Sequence, residues 1–155
     1  VGVLSQPDER WARCDIKTTQ LLPNLLAKTA ARRAGAFEAW LIDRDGFVTE
    51  GASTNAWIVD ANGRIITREL SHAILPGVTR AAILEEAAAA QLPVIQRKFT
   101  LAEAQGAREA FLTSATGAAV PVVAIDGKPV GDGRPGPLTR RLHELYAQQA
   151  GSAKI

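Results

Sequence analysis

Apolar and polar positions change period several times along the chain, and each change predicts an element. Val1 to Leu4 reads as a short strand, and Asp8 to Ile16 as a turn leading into a second extended piece. From Thr18 to Ala34, residues Leu21, Leu22, Leu25, Leu26, Ala30 and Ala34 fall mostly three and four apart, which predicts a helix with one apolar stripe. Pro23 is tolerated near its start and Gly35 ends it. Glu38 to Ile42 and Phe47 to Glu50 then read as a hairpin around Asp43-Arg44-Asp45-Gly46. Asn55 to Val59 and Arg64 to Thr67 repeat that arrangement around Asp60-Ala61-Asn62-Gly63. After Pro76-Gly77 an alanine-rich helix runs to about Gln91, with Ile83 and Leu84 among the residues available for burial. Val94 to Lys98 is a strand, Leu101 to Gln105 a helical turn or two, and Glu109 to Ser114 and Val120 to Ile125 are strands. A Pro/Gly-rich loop over Gly131 to Pro137 leads to a final amphipathic helix from Leu138 to Gln149. The expected architecture is α+β: one domain of short strands with three helices outside.

Composition narrows the class. A chain of 155 residues suffices for one domain with a full core. The formal net charge is only +2, which gives no case for nucleic acid or a membrane surface as partner. No apolar run approaches the roughly 20 residues of a membrane helix, and no signal peptide is visible. A single cysteine, Cys14, cannot form an internal disulfide, so a cytoplasmic location is expected. The chain starts on Val1 and contains no Met, which leads us to expect a piece of a longer protein.

Few residues carry distinctive chemistry. A lysine is ordinarily a solvated surface charge, but Lys17 follows Cys14-Asp15-Ile16 at an expected strand end, where a cavity could take up its amine and favour the neutral form. The other lysines, Lys28, Lys98, Lys128 and the tail residue Lys154, have no similar surroundings. Glu50 ends a strand before Gly51, a position that is often only an exposed turn. Ser53 and Thr54 follow it and could donate hydrogen bonds. Gly77-Val78-Thr79-Arg80 opens a helix, whose first N–H groups can receive an anion. Thr113-Ser114-Ala115-Thr116-Gly117 is a second hydroxyl-rich turn. Cys14 reads as a small core residue, and His72 and His143 lack the neighbours of a metal site. An amine, a carboxylate and an anion site thus occur in that order.

Together these blocks resemble the class IV, fold-type IV pyridoxal-phosphate enzymes, and within them the D-amino acid aminotransferases. The resemblance rests on Arg10-Trp11-Ala12-Arg13-Cys14-Asp15-Ile16-Lys17, on Gly46 to Asn55 with Thr49-Glu50-Gly51 at its centre, and on Ile74-Leu75-Pro76-Gly77-Val78-Thr79-Arg80. It implies that residues 1–155 form the larger, barrel-based domain, with a smaller N-terminal domain missing. It also implies that Lys17 forms the Schiff base with pyridoxal 5'-phosphate and shuttles the proton, and that Glu50 meets the pyridine nitrogen. Leu75 would pack on the ring. Ser53, Thr54, Val78, Thr79, Ser114, Ala115 and Thr116 would lie around the phosphate or substrate. The implied activity is ping-pong transfer of an amino group from a D-amino acid to a 2-oxo acid, in a homodimer of the full-length protein. Aminodeoxychorismate lyase, branched-chain aminotransferase and an inert isolated domain remain open alternatives.

Overall fold

The protein, seen here as a computed structural model, is described over residues 1–152; Lys154 lies outside them. In chain order the first half holds β1 (Gly2–Pro7), α1 (Leu22–Arg33), β2 (Glu38–Ile42), β3 (Val48–Gly51), β4 (Asn55–Val59), β5 (Ile65–Thr67) and α2 (Val78–Ala89). The second half holds β6 (Val94–Gln96), α3 (Leu101–Gln105), β7 (Glu109–Ser114), β8 (Gly117–Val122), β9 (Ala124–Ile125), β10 (Lys128–Pro129) and α4 (Pro137–Ser152). The strands make two five-stranded sheets, ordered β10-β9-β1-β2-β3 and β6-β5-β4-β7-β8. The α+β expectation holds, and the barrel-like core takes the form of two mixed sheets without closure.

Side-chain alternation sorts the strands between layers. Trp40 of β2 and Ala56 and Ile58 of β4 point into a shared core with Val3, Phe99, Leu112 and Ile125. Their neighbours point the other way: Trp57 and Val59 meet Ile83 of α2 and Leu142 of α4, while Ala39 and Leu41 meet Ala27 and Ala31 of α1. The order of layers is therefore α1, first sheet, second sheet, then α2 with α4. Trp57 and Phe111 stack in the last interface with centroids 5.3 Å apart.

The expected hairpins form, β2 with β3 and β4 with β5, both antiparallel. Two expectations are corrected. Residues 8–21 form no second extended piece; the Asp8 N–H still bonds Ile42 of β2, and the rest of the backbone bonds form local turns or reach the His72 carbonyl. The apolar stripe expected to bury α1 is exposed, with Leu22 at 67% and Leu25 and Leu26 at 59%. The helix lies on β2 through alanines because only small side chains allow that close approach.

Candidate functional site

The chain passes from the first sheet to the second across the short link between β3 and β4, and Glu50 sits at its near end. Gly51 must lack a side chain here, because a Cβ would lie 2.0 Å from Thr54 Oγ1. That tight link brings Asn55, the first residue of β4, back against Glu50. Asn55 Nδ2 donates to Glu50 Oε2 at 2.9 Å and to the Leu75 carbonyl at 3.0 Å. The Leu75 N–H donates to both carboxylate oxygens, at 3.2 and 3.1 Å. Arg10 completes the set by donating from Nη1 to Glu50 Oε1. Burial pushes the Glu50 carboxyl up to about 7, against the opposing pull of Arg10 and of the Leu75 N–H.

Asn55 also anchors the start of α2. A Cβ on Gly77 would come within 2.3 Å of Asn55 Oδ1, so the turn and the amide can coexist only with glycine at this place. Gly77 is the N-cap of α2 and carries no side chain to close its first turn. Among the described residues nothing accepts from the N–H groups of Val78 and Thr79. The start of α4 differs: Glu109 accepts from Leu138 N, Thr139 N and Thr139 Oγ1, at 3.0, 2.8 and 2.8 Å. The start of α4 is filled by Glu109 of β7, whereas the start of α2 is open.

Thr79 Oγ1 donates to the Ser114 carbonyl at 2.8 Å, which draws the β7–β8 turn to the open helix start. Ser114 Oγ and Thr116 Oγ1 lie 3.4 Å apart on that turn, with Ala115 between them. Glu50, Leu75, Val78, Thr79, Ser114, Ala115 and Thr116 thus form one connected region. Ser53 leaves it, since its hydroxyl donates to Glu38 Oε2 at 2.6 Å and accepts from Lys28 Nζ at 2.5 Å. Thr54 Oγ1 is buried and has no hydrogen-bond partner among the described residues.

Lys17 lies exposed in the irregular segment 8–21, rather than at a strand end, and its amine makes no hydrogen bond or ion pair among the described residues. Its segment is nevertheless tied to the strip leading to Leu75. The Cys14 N–H donates to the His72 carbonyl at 2.8 Å, and Arg10 Nη2 to the Ala73 carbonyl at 2.9 Å. A cleft of about 460 Å³ opens beside this strip, lined by Asp8, Arg10, Trp11, Cys14, Thr49 and His72 among others. It touches the back of the Glu50 cluster and not the start of α2. Sequence reasoning assigned no role to Arg10 or Asn55. Their one signal was membership in the blocks that carry the resemblance, Arg10 to Lys17 and Gly46 to Asn55.

The amino-transferase class IV family model matches residues 2–125. A D-alanine aminotransferase of Bacillus licheniformis is 42% identical over 142 residues, covering 92% of this chain and 50% of the relative. One from Staphylococcus aureus strain COL is 39% identical over 155 residues, 100% of this chain and 54% of the relative. The chain therefore spans about half the length of these curated relatives. Its fold matches a T.th. branched-chain amino acid aminotransferase, solved as a complex with N-(5'-phosphopyridoxyl)-L-glutamate, at a TM-score of 0.89 and 30% identity. That alignment takes in 99% of this chain and 53% of the other. With a match over most of its length, the chain belongs to the class IV aminotransferase family.

Proposed function

We propose that this chain is the cofactor-holding larger domain of a pyridoxal-phosphate-dependent aminotransferase that moves the amino group of a D-amino acid, such as D-alanine, to a 2-oxo acid. The observation that carries this is the pairing of a buried, multiply hydrogen-bonded carboxylate, Glu50, with the uncapped start of α2, joined through Asn55. The likeness to D-alanine aminotransferases supports the substrate class.

The donor set suits the cofactor. Glu50 can meet a protonated ring nitrogen. Val78 and Thr79 N–H can receive a phosphate, and the orphaned Thr54 hydroxyl and the Ser114-to-Thr116 turn offer further polar contacts. Leu75, whose N–H and carbonyl are both engaged by this cluster, would offer its apolar side chain to a ring. Ser53 acts one layer out, bracing the β3–β4 link against Lys28 and Glu38. When bound, pyridoxal phosphate supplies an aldehyde to capture the amino group and a ring that withdraws electrons from the substrate Cα.

The chain's own part is positioning and proton transfer. Lys17 Nζ would be the base that accepts the substrate Cα proton and later gives it back. Glu50 would keep the ring nitrogen protonated, the state in which the ring withdraws electrons. The start of α2 would hold the phosphate through the Val78 and Thr79 N–H groups and so anchor the ring. The exposed leucines of α1 support a homodimer as the working assembly.

Donor profiling of the full-length protein tests this. D-alanine with 2-oxoglutarate should give pyruvate, and L-alanine far less. The structural likeness to a branched-chain enzyme supports L-leucine as the competing donor. Preference for L-leucine would replace the D-amino acid assignment and leave the cofactor site intact.

A further inference from the structure

The Glu50 carboxylate is aimed by a residue that does not itself belong to the acid–amine–anion set. The side chain of Arg10 is only 6% exposed, and its fork is fully engaged. Nε donates to Asp8 Oδ1 at 2.9 Å and Nη2 to Asp8 Oδ2 at 2.8 Å, a two-pronged grip that fixes the plane of the guanidinium. Asp8 is held in turn by the Thr49 hydroxyl, which donates to Oδ2 at 2.7 Å. With two prongs fixed, Nη1 points at Glu50 Oε1, and Nη2 also reaches the Ala73 carbonyl.

We infer that Arg10 is the positioning residue of Glu50, fixing the plane and place from which the carboxylate would meet the ring nitrogen. This rests on the assignment of Glu50 to that nitrogen. A carboxylate offers about four acceptor directions. Arg10 takes one on Oε1, Asn55 takes one on Oε2, and the Leu75 N–H bridges both oxygens. These four contacts, two on each oxygen, fix the plane and position of the carboxylate. Through Ala73 and Leu75 the same guanidinium fixes the strip that leads to Gly77, so the acid and the anion site share one clamp. Lysine could supply the charge but not the fork.

The charged and titratable groups facing Glu50 are Arg10 and Asp8 from the segment after β1, Cys14 farther along it and Arg80 from α2. Asn55 and the Leu75 N–H face it as neutral donors. Burial works against the ionised carboxylate, Arg10 works for it and Asp8 against it. A clamp of this kind has a signature that mere packing lacks: removing Arg10 and removing Asp8 must move the Glu50 titration in opposite directions.

The test is a carboxyl-carbon NMR titration of the 155-residue chain without cofactor, comparing the wild type with Arg10→Gln, Arg10→Lys, Asp8→Asn and, as control, Arg13→Gln, whose partner Asp15 lies in the loop. Arg10→Gln should raise the Glu50 midpoint by about 1 to 3 pH units. Asp8→Asn should lower it, Arg10→Lys should fall between wild type and Arg10→Gln, and Arg13→Gln should leave it in place. An unchanged midpoint in both Arg10 variants, or movement in the same direction for Asp8→Asn, overturns the inference. Should Arg10→Gln not fold, Arg10→Lys and Asp8→Asn decide by the same signs. If the wild type cannot be loaded with pyridoxal phosphate, the ring-nitrogen assignment falls, while this titration still decides whether Arg10 controls Glu50.

Discussion

Glu50 is the residue at which structure and chemistry meet most tightly. Its carboxyl is pushed up to about 7 by burial, above the ordinary 4.5 of an unfolded glutamate. Between those two values the folded chain binds the extra proton and the unfolded chain does not. Stability from this group is therefore fully present below about pH 4.5 and is lost as pH rises through 7. The difference corresponds to roughly 3 kcal/mol. Denaturant midpoints measured from about pH 4.5 to 7.5 should fall in the wild type and flatten in Glu50→Gln. Asp8 does not blur the window: although burial alone would raise it, Arg10 and Thr49 hold it below its ordinary value. A bound pyridinium would oppose the burial effect and draw Glu50 back down, so the cofactor-loaded protein should lose less stability over the same range. In the active enzyme, Glu50→Gln should keep the cofactor attached and slow turnover about a hundredfold, seen as a drop in kcat.

Among the elements, the site depends on two glycines that let backbone approach side chain. Gly77→Ala would drive a Cβ into Asn55 Oδ1, and Asn55 holds both Glu50 and Leu75. The expected cost is about 1–3 kcal/mol, read as a lower Tm, together with weaker cofactor binding. The same substitution at Gly63, where nothing lies within 4 Å, should strain only a turn and spare the cofactor. Local geometry of this kind also decided what the sequence revealed. The hairpins were legible because strand alternation and Asp/Gly turns are local signals, and α2 was legible from Pro76-Gly77. Glu50 and the Gly77 turn could be marked because each sits at the end of such an element. The Arg10 clamp could not, because it joins residues 40 positions apart from a segment with no period at all. The face of α1 was misjudged because its leucines outweighed Ala27 and Ala31, and nothing local says which face a sheet will accept.

In the molecule as a whole, the layered sheets leave the amine on an exposed segment and set its proposed partners at the buried junction of β3, β4 and α2. Lys17, Leu22, Leu25 and Leu26 are all exposed, so the amine and the apolar face of α1 are both open in this chain. Burying such leucines is worth about 1.5–3 kcal/mol each, enough to hold a second surface over this region. Sedimentation of the full-length protein should show a dimer that Leu25→Glu dissociates, with cofactor retention falling alongside. A protein that sediments as a monomer and keeps its cofactor would rule out the dimer as the working form. No helix among the described residues is long and apolar enough to cross a membrane.

Borohydride reduction of the protein loaded with pyridoxal phosphate, followed by peptide mapping, decides whether Lys17 is the amine that carries the cofactor. A stable pyridoxyl group is expected on the peptide bearing Lys17, absent in Lys17→Ala and retained in Glu50→Gln. A pyridoxyl group on Lys28 or another lysine, or undiminished labelling of Lys17→Ala, would contradict that assignment.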